Sequence, residues 1–574
     1  MDRIHPLGGG IRDLQATDAQ IDLQVAFAGH RHPEEFGEGA AIEAQVLRAF
    51  ELLKAASIKR ARLLTGLADG ADQIALKAWR TARMGTVHAV LPFLLDTPEG
   101  LNLENPDETV TWLDGASENG EGINPHLIQT RWLVSPADIL VVVWNGLERR
   151  GPGGTADAVR LAFDAGIPTL WISPNHPEPQ LITRPPKHKL VEFVDLLDAL
   201  AVSDRNVVVP ANAETLRQLL KDNVTTEQSE FQKARQMDAW LHRWLWRAFA
   251  VFQRQVGGSI PPPARKIVTP PPDLLAQPGF AVITQALEEA DTRASRLSAV
   301  HRSEQLLLLC MAVLAAILGA LSLLTPAIKM VALIAELFLA LCALGVWWTA
   351  AKSRQHEKWT DARRLAEQLR YERVGWVIGV ASRERNFDFA ERDQRRIARA
   401  IVRQALPATG RFDQERIAAW VPWVIDELIV GQADYHHQQG KRNHRIAHRM
   451  ELLETLSFAV LLVALAIYIV AWAVLLGSGH HVPTWGTRLI GALGVIVPAI
   501  AAATMALEAK FQFEEQAQRS AILSGRLQKL LSEIGSTPGL SDAQGAVRAA
   551  SELLGSEADL WHEGGHRRRL VRGG

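Results

Sequence analysis

The sequence predicts two structural classes in one chain: an α/β doubly wound parallel sheet, then an all-α membrane domain with four transmembrane helices in two hairpins. Three observations carry that expectation. Between Ile21 and Ile172, short apolar runs alternate with helix-patterned stretches, an order that specifies parallel strands joined by helical crossovers. Further on come four apolar runs, at about 306–324, 331–350, 456–476 and 489–507. Each holds about 20 residues, enough to cross a hydrocarbon core of about 30 Å. Between the halves, the prolines of Gly257–Gly279 exclude regular structure and mark a linker.

Taken in order, residues 1–20 read as a flexible, polar N-terminus. The strands expected next are Ile21–Ala28, Arg62–Thr65, Val87–Phe93, Ala137–Trp144 and Pro168–Ile172, with helices at Ala40–Lys54, Gln73–Met84 and His126–Val134 between them. The polar stretch Asp96–Asn124 is too long for a turn and reads as a lid or insertion. Residues 176–256 form a helical extension that opens on a proline-rich loop and holds Trp240, Trp244 and Trp246 on an amphipathic stretch. The first membrane unit spans 280–380, a cytosolic helical connector 381–440, the second unit 441–530 and a helical tail 531–574. Helix Phe280–Arg302 is expected to run into the first span, and Trp420–Glu454 into the third.

The two hairpins read as copies of one unit. Without a gap, Ala351, Lys352, Glu357, Leu365 and Leu369 fall on Ala509, Lys510, Glu515, Leu523 and Leu527, and each hairpin is entered through a His-Arg pair. The short turns hold one basic residue each, Lys329 and Arg488, whereas the middle segment is Arg-rich, which places both termini and the middle in the cytosol. MDRIHPLGGG lacks the apolar core of a signal peptide, so the inner (cytoplasmic) membrane is the expected location. Cys310 and Cys342 both lie in spans and leave no disulfide framework. Trp347, Trp348, Trp472 and Trp485 lie near span ends, as an interfacial belt would. The net charge of −1 gives the whole chain no nucleic-acid footprint.

Chemistry concentrates in three Gly-containing loops, each following a strand and opening a helix. They are Gly29-His30-Arg31, Thr65-Gly66 through Gly70 to Asp72, and Gly151 to Thr155 with Gly153 and Gly154. In a parallel sheet such loops meet at the carboxyl edge, where glycine lets N–H groups approach an anion. His30, Arg31 and Arg149 add cations, and Thr155 is expected to cap its helix. A phosphate-bearing ligand is the expectation. In the spans, Glu336 is a carboxylate at mid-helix, a pore-lining or proton-linked candidate against a buried structural role, and Pro498 is a candidate kink or hinge. His444 and His448 have the i,i+4 spacing of a metal pair, but no further ligand pattern accompanies them, and no metal is expected. The basic run Arg567–Arg569 suits anionic lipid better than nucleic acid.

VAFAGHR, LLTGLADGADQIA and ADILVVVWNG…GPGGTADAVRLAFDAGIPTLWI, in that order, resemble the SLOG superfamily over residues 21–175. The resemblance implies a Rossmann-like domain that binds a nucleotide or nucleotide-derived second messenger, such as an ADP-ribose derivative or a cyclic oligonucleotide. The superfamily's hydrolases carry a catalytic Glu in a Gly-Gly-x-Gly-Thr-x-x-Glu signature. Ala158 stands there in this chain, and Asp157 is rotated by about 100° along the helix. Sensing is therefore expected over hydrolysis, with no catalytic residue assigned.

The stretches Trp359–Arg370 and Gln432–His437 resemble the SLATT family of two-span effectors. That resemblance implies pore formation or membrane disruption, in an antiphage setting by analogy. The partners expected are the lipid bilayer, a nucleotide ligand and further copies of the chain. The alternatives are a membrane-tethered nucleotide hydrolase or glycosidase using Asp72 or Asp157, and a non-catalytic membrane scaffold.

Overall fold

A computed structural model describes residues 23–32, 39–56, 61–94, 101–105, 107–114, 124–147, 151–165, 167–173, 176–182, 208–219, 251–252, 255–256, 268–353, 355–380, 397–398, 401–402, 405, 407–478, 483–535 and 538–570. Expectations for residues 1–20, Arg149, Trp240, Trp244, Trp246 and most of residues 381–406 of the 381–440 connector lie outside these.

The N-terminal part is a nine-stranded sheet of order β8-β7-β6-β5-β1-β2-β3-β4-β9. Its strands are β1 (Leu23–Gly29), β2 (Ala61–Thr65), β3 (Gly85–Leu91), β4 (Glu108–Trp112), β5 (Ile139–Val143), β6 (Thr169–Ile172), β7 (Gln180–Ile182), β8 (Val208–Pro210) and β9 (Gly410–Arg411). Strands β1 to β6 and β9 pair in parallel. The pairs β6–β7 and β7–β8 are antiparallel, so the sheet is mixed where pure parallel pairing was expected.

Helices cover both faces because side chains alternate along each strand. Val25, Phe27, Leu63, Val141 and Val143 enter one core with α1 (Gly39–Ala55) and α2 (Ala71–Ala82). Ala26, Leu140 and Val142 face α4 (Thr155–Asp164), while Leu64 and Val90 face α3 (Pro125–Val134). The α1 face follows from the spacing of Ile42, Val46, Ala49, Phe50 and Leu53, all buried. Strand β5 reads ILVVV because both of its faces are covered.

Two expectations fail here. The insertion at 96–124 contains β4, whose ETVTW gains its hydrogen bonds from β3 and from β9 nearly 300 residues on, a pairing no local pattern announces. The proline-rich loop after His176 contains the short strand β7.

The C-terminal part is helical: α5 (Pro278–Leu324), α6 (Lys329–Ser353), α7 (Gln355–Ile378), α8 (Gln414–Ile425), a π-turn (Asp426–Val430), α9 (Gly431–Gly477), α10 (Thr484–Phe511), α11 (Phe513–Glu533) and α12 (Leu540–Leu570). Helix α5 packs on α6, α7 and α10, and α9 packs on α10 and α11. Helices α5 and α9 each run unbroken from soluble sequence into an apolar run, as expected. Among the described residues, four helices are long and apolar enough to cross a membrane. Phe338, Ile467 and Val474 each leave 65% of their surface bare, as side chains that face lipid do. The chain is a multi-pass membrane protein.

Sheet and helices share one core. Leu64, Val90, Ile128 and Trp132 pack with Phe280, Val374, Phe412, Trp420, Leu428 and Leu540. Trp132 meets Phe412 edge-on at 4.8 Å, and Arg131 donates to Gln544 Oε1 at 3.1 Å. The proline-rich segment therefore connects two parts that touch extensively.

Candidate functional site

The three loops follow β1, β2 and β5, which lie side by side in the sheet as β5-β1-β2. From β1 the chain proceeds through β2, β3 and β4 to one side, and from β5 through β6 to the other. Ligands of open parallel sheets bind outside the strand ends at such a reversal.

Gly29 is demanded by packing: a Cβ there would lie 2.3 Å from Cβ of Ala71, the first residue of α2. His30 ties the three loops together. Its carbonyl accepts from the Ala71 N–H at 3.1 Å, and its Nε2 lies 3.2 Å from Asn145 Oδ1 in the loop after β5. Arg31 is exposed at the rim.

In the second loop Thr65 is fully buried and its Oγ1 accepts from Leu67 N–H at 3.2 Å. Leu67 itself is left-handed, at φ 50°, a conformation uncommon outside glycine. Gly70 precedes α2. Asp72, in the first turn of that helix, accepts from the N–H of Ala68 at 3.2 Å and from Gly66 and Thr65. Burial pushes its carboxyl up to about 7, against the pull of those hydrogen bonds and of Arg31.

The third loop corrects the expected cap. Gly154 occupies the N-cap of α4, Thr155 is the first helical residue and nearly buried, and no side-chain cap bond is made. Asp157 reaches back instead, its Oδ2 accepting from the Gly153 N–H at 2.7 Å. Gly153 has φ 81°, and a Cβ would meet the backbone of His126 at 2.2 Å, so only glycine fits. Gly154 opens onto nothing nearer than Gly151 O, at 3.5 Å.

Helix α3 supplies residues that sequence reading missed. Asn124 caps it, accepting from the His126 N–H at 2.9 Å, with Pro125 in the first turn. Gln129 Nε2 donates to Val90 O at 2.8 Å and to Gly66 O at 3.4 Å; Thr130 Oγ1 lies 2.7 Å from Gly153 O. His126 stands edge-on to Phe93 at 5.7 Å. The i, i+3, i+4 spacing of His126, Gln129 and Thr130 was the available signal. Phe93, Leu94 and Leu147 are exposed at the ends of β3 and β5. The edge thus joins the N-termini of α2 and α4 and the Arg31 guanidinium, suited to an anion, to bare apolar side chains suited to a flat ring.

In the membrane part, Glu336 faces α5 within the first hairpin: a Cβ on Gly319 would lie 3.0 Å from its Oε1. Helix α10 passes through Pro498 unbroken, and the helix break lies at Gln512, left-handed at φ 51°, where no side chain marked it in advance. His444 Nδ1 pairs with Glu514 at 3.0 Å, and the described residues contain no group of three or more metal-ligating side chains. Cys310 and Cys342 are free.

A family described as "protein of unknown function" (DUF4231) matches residues 285–386, the stretch that holds most of α5 and all of α6 and α7. No curated protein and no solved structure matches the chain.

Proposed function

We propose that this chain is a ligand-responsive membrane effector. A SLOG-like, Rossmann-like sheet takes a nucleotide-derived signal at its carboxyl edge, and SLATT-like repeated hairpins answer by opening a pore or disrupting the bilayer. The observation that carries the reading is the convergence of the three loops on β5, β1 and β2, in a sheet that shares its core with the helices flanking the spans. A packed core has discrete arrangements, so a ligand that favours one arrangement of the loops biases the helices too. The hairpin repeat is supported by burial: Trp359, Ala362, Ala366 and Leu369 on α7 and Ala517, Ser520, Ser524 and Leu527 on α11, 158 positions on, are all buried. Helices α5 and α9 both have 47 residues. Bare outward faces on α6 and α9 support self-association. The basic belts beside the spans support the inner membrane with cytosolic termini, and an antiphage role follows by analogy.

The test uses the full chain, because a fragment ending at 256 would bare Leu64, Val90 and Trp132. A ligand at 100 times its Kd adds about 2.7 kcal/mol, readable as a thermal shift. A panel of ADP-ribose derivatives and cyclic oligonucleotides is expected to yield one stabilising compound, recovered intact. Gly154→Trp projects into open space above the start of α4 and is expected to fold normally while losing the shift. The active compound should then release dye from liposomes holding the wild-type chain. No shift from any compound would end the sensor reading.

One observation favours an enzyme: Asp72, buried beside Arg31 with its carboxyl near 7, is poised as an acid or base. Consumption of the compound, abolished in Asp72→Asn, would establish that reading. In either case the neutral form suits a phosphate neighbour. Affinity is expected to weaken as pH rises through about 7, and Asp72→Asn to flatten that profile.

A further inference from the structure

At one end of the bundle, where α5 enters its apolar run and α10 leaves it, basic side chains from several helices meet. The His301 ring on α5 lies 5.0 Å from His356 and stacks on Trp359 at 5.9 Å, both on α7. The Arg302 guanidinium lies 5.4 Å from the same indole. Lys510 on α10 is within electrostatic reach of His301, and Arg442 on α9 within reach of Arg302. Arg363 and Tyr435 also face Arg302, and Arg363 pairs with Glu367 and Asp291.

The depth of this cluster is set by packing. Leu306, Ile446, Leu507 and Phe511 share one small core, which fixes a common level on three helices. Arg302 precedes Leu306 by four residues and Lys510 lies between Leu507 and Phe511, so both stand within about 6 Å of that level. The headgroup layer is about 5–8 Å thick on each side of the hydrocarbon. His301, Arg302 and His356 are half-buried and Lys510 is exposed, so a headgroup can reach them. Towards the hydrocarbon, Leu344 and Trp347 on α6 are each 58% exposed and offer a surface for acyl chains.

We propose that His301, Arg302, His356 and Lys510, braced by Trp359 and backed by Arg442, form a site for the phosphate of an acidic phospholipid. A guanidinium held over an indole is pre-organised for phosphate, and basic pockets between membrane helices take phosphorylated headgroups. The apolar surface beside the cluster favours a lipid-borne phosphate over a soluble one. A bound headgroup would hold α5, α7 and α10 together where the spans meet the soluble helices.

The test is lipid titration of the full chain in neutral detergent micelles, followed by its unfolding temperature. Phosphatidylglycerol is expected to give a saturable rise that added salt weakens, and phosphatidylcholine none. The rise should be lost in R302Q/K510Q, largely kept in R302K, and kept in the tail variant R567Q/R569Q. Lys510 is exposed, so K510Q alone is expected to fold and to weaken the effect. An equal rise with phosphatidylcholine, an equal rise with glycerol phosphate alone, or a rise unchanged in K510Q and R302Q/K510Q would overturn the site. The result does not depend on any nucleotide being bound.

Discussion

Replacing Arg373 by Ala is expected to destabilise the chain by about 3–5 kcal/mol, because it leaves a buried carboxylate without its partner. Arg373, on α7, pairs with Glu427 in the π-turn, and both side chains are more than nine-tenths buried. Its guanidinium also lies 5.5 Å from the Trp423 ring and 5.9 Å from the Phe280 ring. The pair joins the helix leaving the second span to the turn entering the third. That turn is held by the Gly431 N–H donating to Asp426 O, and a Cβ on Gly431 would crowd the same carbonyl at 3.2 Å. The double change Arg373→Met, Glu427→Leu removes both charges and should recover most of the loss. Denaturant unfolding in detergent measures both variants. A single Ala variant within about 1 kcal/mol of wild type would show the pair to be dispensable.

Acid is expected to loosen the contact between the sheet and the segment that leads into β9 through His88. This side chain is 1% exposed, and burial, with Arg62 nearby as the second cause, lowers its pKa from 6.5 to about 3. Thr111 Oγ1 donates to Ala408 O, so it must accept from His88 Nε2–H, and Nδ1 then accepts from the Thr109 hydroxyl at 2.8 Å. Burial is what holds the histidine neutral, since the Thr109 hydroxyl could also accept from a protonated ring. Since the folded pKa is depressed, full stability is present above 6.5 and is lost as pH falls towards 3. At pH 5 the loss amounts to about 2 kcal/mol, at 1.36 kcal/mol per unit. Unfolding free energies at pH 7.5 and pH 5 measure it. His88→Gln should lower stability at pH 7.5 and reduce the pH dependence. An unchanged slope in that variant would assign the acid sensitivity to other groups.

Much of the candidate site was readable in advance, because it rests on local necessity. Gly29 and Gly153 stand where any side chain would strike α2 or the backbone of α3, and each follows an apolar strand that is itself visible. Its supporting layer was not readable. Gln129 and Thr130 hold the loops from a helix whose only hint was a polar spacing, and Asp157 took the cap expected of Thr155. Hydrogen-bond partners set by folding have no fixed sequence separation.

By itself the sequence determined the four spans, the continuous entry of α5 and α9 into them, and the buried strands at the sheet's centre. Those features follow from runs of apolar residues whose length and period match one helix, one strand or one bilayer. Only the tertiary structure decided the sheet's edges, the π-turn and the union of the two halves. Strand β9 has two residues and pairs with β4, while Trp132, Phe412 and Trp420 become one core across the chain. Such contacts draw their stability from burial between distant segments, which no local period encodes.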